Sequence, residues 1–245
     1  MFSILRKKNC CVFCGKYSDR LTPSNMEDQS CRNCGVTHRA QIIGNTIIRG
    51  LGYPESISFL DIQSDMSRVG LGISDDWRLA RALSPLFAYT NSFLHQFPVV
   101  DICSPPQEAI GLFEFISCSD VLEHTPPPRN AALMGLYQML KQTGFAVISV
   151  PLIRGLQFAE FYPELITWKT ENDFVHWVDQ DGHEHIDQHP EFHGGEGLTL
   201  AFRQWTEEKL IEELKAVGFS EIISRPLPPQ FNLEQTICIV IARKS

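Results

Sequence analysis

Four cysteines near the start of the 245-residue chain stand in two pairs, Cys11-x-x-Cys14 and Cys31-x-x-Cys34, each followed at once by glycine (CVFCG and CRNCG). Such spacing lets each pair close a tight turn whose backbone amides face the sulfurs, and two pairs supply four thiolates for one tetrahedral ion. Sixteen residues lie between the pairs, enough for a short hairpin to bring them together. Zinc is the expected ion, and a four-thiolate set leaves no position open for catalysis. Cys10 is read as a bystander, because using it in place of Cys11 would lengthen the spacing. Residues 1–37 therefore form a small zinc ribbon, with so little apolar content that metal ligation must supply its stability.

A second concentration of ligand-type side chains follows far downstream. His176, His183, His185, His189 and His193 are interleaved with Asp173, Asp179, Asp181, Glu184 and Asp187. On an extended segment His183 and His185 would point to one side, where a carboxylate could complete a second metal site. The same residues equally describe an acidic flap on the substrate side without metal. His193 is followed by Gly194-Gly195-Glu196-Gly197, where bare backbone can approach a ligand closely and line an acceptor pocket, or serve as a hinge for an inserted loop.

The elements that must position these groups are legible in the periodicity. Ile42, Ile43, Ile47 and Ile48 recur at helical spacing and the run closes at Gly52 and Pro54, so residues 38–54 make an amphipathic helix joining the ribbon to the rest. From residue 55 onward strand-like segments (ISFLDIQ, VGLGIS, AYTNSFL, FEFISCS, FAVISVP) alternate with helical ones near 76–87 and 129–140, the second stopping at Gly144. Alternation of this kind gives an α/β domain, a parallel sheet with helices on its faces. A helix capped by Thr206 and ended by Gly218 then leads to GFSEIIS and QTICIVIAR, two closing strands with a proline-rich loop between them, so the sheet is mostly parallel with one antiparallel edge strand.

The segment FEFISCSDVLEHTPPPRNAALMGLYQMLKQTGFAVISVP resembles the fourth-to-fifth-strand region of class I S-adenosylmethionine-dependent methyltransferases. VGLGISDDWRLA, YTNSFLHQFPVVDI, SDVLEH and FHGGEGLTL together resemble, more narrowly, a bacterial subgroup of methyltransferase-like proteins that also begin with a zinc ribbon. The resemblance implies a Rossmann-like methyltransferase sheet over residues 55–245, with the His/Asp-rich loop inserted at about 152–200. It implies S-adenosylmethionine as donor and an oxygen or nitrogen acceptor. Some relatives are associated with surface-glycan synthesis, which points to a small molecule or a sugar or glycan hydroxyl. The family carries an acidic residue and Gly-x-Gly after its first strand, whereas ISFLDIQSDMS has no glycine. Either Gly70-Leu71-Gly72 is that turn and ISFLDIQ is an added element, or VGLGISDD is the second strand and Asp75 must reach the ribose.

By the same resemblance, Gly70, Gly72, Ser74, Asp75, Asp101 and Ile102 gather at the carboxyl ends of the strands, where open parallel sheets bind ligands. Asp101 matches the acidic position that receives the adenine amino group and Ile102 the one that contacts the ring. Ser119, Asp120, Glu123 and His124 match groups facing donor and acceptor. His124 would take a proton from an acceptor hydroxyl, with His193 on the acceptor side, or the Glu-His pair fastens the loop. The competing function is a binding protein on the same fold that has lost its donor site and engages a protein partner through the ribbon. Residues 1–50 carry eight Lys/Arg against three Asp/Glu, a net +5 that leaves −13 for the remainder of a chain at −8. The acidic body argues against a broad nucleic-acid footprint. Neither a membrane span nor a signal peptide is expected, so the protein is read as cytoplasmic.

Overall fold

A computed structural model describes residues 10–17, 30–54, 57–153, 157–193, 199–226 and 235–244. In chain order, α1 (His38–Gly50) leads to β1 (Asp65–Ile73), α2 (Trp77–Leu83), β2 (Phe87–Ser92), β3 (Phe113–Ser119), α3 (Asn130–Met139) and β4 (Leu140–Ile153). An arm of short strands follows: β5 (Ala159–Glu160), β6 (Leu165–Glu171), β7 (Phe174–Asp179), β8 (Glu184–Asp187), β9 (Phe192–His193), β10 (Thr199–Leu200) and β11 (Arg203–Gln204). The chain then returns through α4 (Glu207–Val217), β12 (Phe219–Pro226) and β13 (Gln235–Lys244).

Six strands form the main sheet in the order β12-β13-β4-β3-β1-β2. β1 pairs in parallel with β2 and β3, and β3 with β4, while β13 runs against both β4 and β12. Side chains alternate across the strands, so each strand feeds two cores. One face carries Leu71, Ile73, Ile116, Cys118 and Ile148 and is covered by α3 and α4. The other carries Phe87, Tyr89, Phe115, Phe145 and Val147 and is covered by α1 and α2. On that second face a side chain at Gly70 would stand 2.2 Å from the Phe115 ring, so only glycine lets the ring lie across β1.

Thr37 caps α1 by accepting from the Ala40 amide, and the apolar stripe of the helix buries Ile43, Ile47 and Ile48 on the sheet. The ribbon rests on the same core. Val12 is buried there, the Phe59 amide donates to the Val12 carbonyl at 2.7 Å, and Phe13 meets the Phe59 ring edge-on at 5.0 Å.

ISFLDIQ is not a strand: its centre is a single 3-10 turn, Phe59–Asp61. The Asp61 carboxylate accepts from the Ser58 amide and hydroxyl, which winds the segment and sends Phe59 and Ile62 into the core beside the ribbon. The cap expected at Gly144 is also absent. α3 ends at Met139, Thr143 takes the left-handed conformation at φ 66°, and Gly144 is bare because a side chain would press on the Lys141, Phe113 and Glu114 carbonyls. The His/Asp-rich insertion is a folded arm. Its antiparallel meander β6-β7-β8 turns at Asn172-Asp173, both left-handed (φ 51° and 64°), as a two-residue hairpin requires. No helix among the described residues is long and apolar enough to cross a membrane.

Truncating Ile47 to alanine removes a fully buried side chain from under α1 and should cost about 2–5 kcal/mol of stability. Chemical denaturation checks this, and an unchanged midpoint would mean that α1 is not packed on the sheet.

Candidate active site

The strands β1 and β3 lie side by side, and each ends in a non-glycine residue held left-handed: Ser74 at φ 56° and Asp120 at φ 52°. Such conformations are costly for side-chain-bearing residues and persist where the surroundings enforce them. The Ser74 amide donates to the Ser92 carbonyl at 2.8 Å, and the Asp120 amide to the Ser149 carbonyl at 3.0 Å. Each turn is thus tied to the neighbouring strand. Gly70 and Gly72 both lie inside β1 and not in the turn, which falls at Ser74–Asp76, between β1 and α2. Because α2 then leads into β2, β1 is the first strand of the sheet and not the second.

Asp75 folds back under this turn. Its buried carboxylate accepts from the hydroxyls of Tyr89, at 2.5 Å, and Ser117, and Asn91 grips its backbone on both sides at 2.9 Å. The space left by Gly72 is taken by the Tyr89 hydroxyl and the Asp75 carboxylate, 1.9 and 2.6 Å from where a side chain would begin. Burial pushes the Asp75 carboxyl up to about 7, against the hydrogen bonds from Ser117 and Tyr89.

Across the sheet ends, Asp101 turns its own loop by accepting from the Cys103 amide at 2.8 Å. Ile102 is buried in the α3 side of the core, and its carbonyl presses on α3 where Gly135 has no side chain. The Ser119 and Ser149 hydroxyls are 2.7 Å apart, and Ser149 donates to Asp120 at 3.1 Å. Arg39, from the first turn of α1, forms an ion pair with Asp120.

Beyond Asp120 a 3-10 turn carries Glu123 and His124, and the arm folds back onto it. The Phe202 amide donates to the Glu123 carbonyl at 2.8 Å, and His124 Nδ1 donates to the Leu200 carbonyl at 2.9 Å. Since β9 pairs with β10, His193 arrives beside His124, its Nδ1 at 3.2 Å from His124 Nε2 with the rings edge-to-face. A carbonyl can only accept, so His124 carries its proton on Nδ1 and presents a lone pair at Nε2. Burial lowers the pKa of both imidazoles and keeps them neutral near pH 7. A small cleft bounded by Pro151, Phe161, Glu191, Ala201 and Gln204 opens on His193. Residues 194–198, with the expected glycine run, lie outside the described residues.

The four ribbon cysteines place all their sulfurs within 4.8 Å of one another, with Cys11–Cys34 and Cys14–Cys31 at 3.7 Å. Sulfurs bound tetrahedrally at about 2.3 Å from zinc stand about 3.8 Å apart, so the set fits that ion. Amides of Phe13 and Cys14 face the Cys11 sulfur, and those of Asn33 and Cys34 face the Cys31 sulfur, as the two knuckles require. In the arm, Asp179 bonds His185 at 2.8 Å and lies 3.3 Å from His183, with Asp181 beside them. His185 is stacked on Trp177 at 4.2 Å, while His183 keeps a ring nitrogen within 4.8 Å of carboxylate oxygens of Asp179 and Asp181.

The architecture decides the comparison with known structures. No protein-family model and no curated protein matches the sequence. A Clostridium acetobutylicum S-adenosylmethionine-dependent methyltransferase superposes with a TM-score of 0.51 at 11% identity, covering 84% of this chain and 90% of its own. A Burkholderia thailandensis 1,6-didemethyltoxoflavin N1-methyltransferase, with bound S-adenosylhomocysteine, gives 0.50 at 15% identity over 84% and 78% of the two chains. The chain has the class I methyltransferase fold. The [4+2]-cyclase SpnF matches equally, with a TM-score of 0.52 at 13% identity over 93% and 88%, so this fold also carries other chemistry.

Reasoning from sequence missed Arg39, Tyr89, Asn91, Ser149 and Arg203. Asn91 and Ser149 sit on strands whose face could be counted by alternation, but Arg39 and Arg203 arrive from remote segments with no local signal. Asp75 supplies a pH test. Its folded pKa is raised, so its contribution to stability is complete below about pH 4 and is lost as pH rises through about 7. Asp75→Asn should therefore flatten the fall in melting temperature between pH 5 and about 8 relative to wild type. Parallel profiles for the two proteins would contradict the buried carboxyl.

Proposed function

We propose that the chain is a methyltransferase that moves the methyl group of S-adenosylmethionine to an oxygen or nitrogen of a polar acceptor, a sugar or glycan hydroxyl being the class favoured by the sequence resemblance. The observation that carries this reading is the pair of left-handed turns at Ser74 and Asp120 on adjacent strand ends, with two paired histidines just beyond the second. In this reading the donor lies across the strand ends, its adenine toward Asp101 and the Ile102 backbone and its methionine toward Ser119 and Asp120. His124, His193 and Glu123 face the acceptor entering through the cleft and promote loss of its proton as the oxygen attacks the sulfonium carbon. The thiolate set takes zinc as a structural ion, in keeping with a reducing compartment such as the cytoplasm.

One observation favours the second reading, a binding protein without activity: Tyr89 and Asp75 fill the space beside Gly72 that bare backbone would leave to a donor. Calorimetric titration with S-adenosylhomocysteine separates the two. Micromolar binding is expected, and Asp101→Ala should weaken it by about tenfold, roughly 1.4 kcal/mol. Absence of binding at millimolar ligand by folded protein would overturn the donor site, and unchanged affinity in the variant would overturn the placement of adenine.

A further inference from the structure

Glu123 is 1% exposed, and no other residue donates a hydrogen bond to either of its carboxylate oxygens. A buried carboxylate in that state is expensive unless it takes up a proton or something positive completes it. Two arginines contribute charge nearby, but Arg39 is committed to Asp120 and Arg203 to Glu160. The neighbouring imidazoles cannot satisfy Glu123 either. His124 has spent its proton on Leu200, and His193 Nδ1, 3.2 Å from His124 Nε2, is 4.0 Å from the carboxylate, beyond hydrogen-bond reach.

The three atoms left facing one another are Glu123 Oε1, His124 Nε2 and His193 Nδ1, separated by 3.2, 3.7 and 4.0 Å. A point equidistant from all three lies about 2.1 Å from each, the bond length of zinc and similar ions to imidazole nitrogen and carboxylate oxygen. The bond from His124 Nδ1 to a backbone carbonyl is the outer contact that fixes a metal-binding imidazole in the required tautomer.

We propose that Glu123, His124 and His193 bind a divalent transition-metal ion, zinc or a neighbour in its series, separate from the cysteine site. Two imidazoles and one carboxylate leave coordination positions open. His193 is the most exposed of the three and borders the cleft, so the open side faces incoming solute. Metal binding stands apart from the donor reading, but its role in catalysis rests on it. There the ion would hold an acceptor hydroxyl whose proton passes to water. An oxygen lone pair then forms the new C–O bond as the C–S pair returns to sulfur, giving a neutral thioether.

Titration with Co2+ of the full chain carrying a single equivalent of zinc tests this, because the thiolates, the tighter site, are then already occupied and the proposed site is not. Wild type should take up one further equivalent, with weak visible absorption and no sulfur-to-metal charge-transfer band. Glu123→Gln, nearly isosteric, and His193→Ala should lose that equivalent while keeping the first zinc. No further uptake by wild type, or full uptake by either variant, would overturn the site. Titration of the same samples with S-adenosylhomocysteine reads the donor site independently, so one can fail without the other.

Discussion

Arg203 ties the arm to the sheet. Its side chain has no exposure, and it donates to the Leu122 carbonyl at 2.9 Å, the Thr125 hydroxyl at 2.7 Å and the Glu160 carboxylate at 3.2 Å. A buried guanidinium is tolerated where most of its donors are used, here all but Nε, so the turn at 122–125 and the arm's own β5 must both be in place around it. That requirement presses the returning strand onto the turn, and the bonds from Phe202 to Glu123 and from His124 to Leu200 follow from it. His193 meets His124 across 69 residues of sequence for this reason.

A second remote segment reaches the same place from the other side. α1 is fixed to the sheet by its isoleucines, its start is tied to the ribbon, and its first turn delivers Arg39 to Asp120. The strand end at Ser119–Asp120 is therefore clasped between α1 and the arm. The ribbon acts at one remove, by fixing where α1 begins. A cluster of four thiolates can serve the fold in this way without any contact between it and a substrate.

Much of the framework was readable because it rests on local rules. The cysteine knuckles, the isoleucine stripe of α1, the Thr206 cap and the left-handed Gly218 each declare themselves within a few residues. ISFLDIQ misled because its apolar content suits a strand, whereas the Ser58–Asp61 bonds that wind it are a local polar preference easily hidden by such a run. Gly70 and Gly72 misled for another reason: their bareness answers to Phe115 and Tyr89 on neighbouring strands, a tertiary demand with no mark in VGLGIS itself. At the site, Glu123 and His124 stood out as a motif and His193 as the lead of a glycine run. Their convergence could not be read, because it depends on how a folded arm returns and on an arginine ten residues past the histidine.

If the site exists only where the arm is fastened to the 122–125 turn, amide hydrogen exchange in an Arg203→Met variant will register the loss of that fastening. The amides of His124 and Phe202 should lose protection together while those of β1 and β3 keep theirs. Protection of His124 and Phe202 at the wild-type level in a folded variant would show that the turn and the arm stay joined without Arg203.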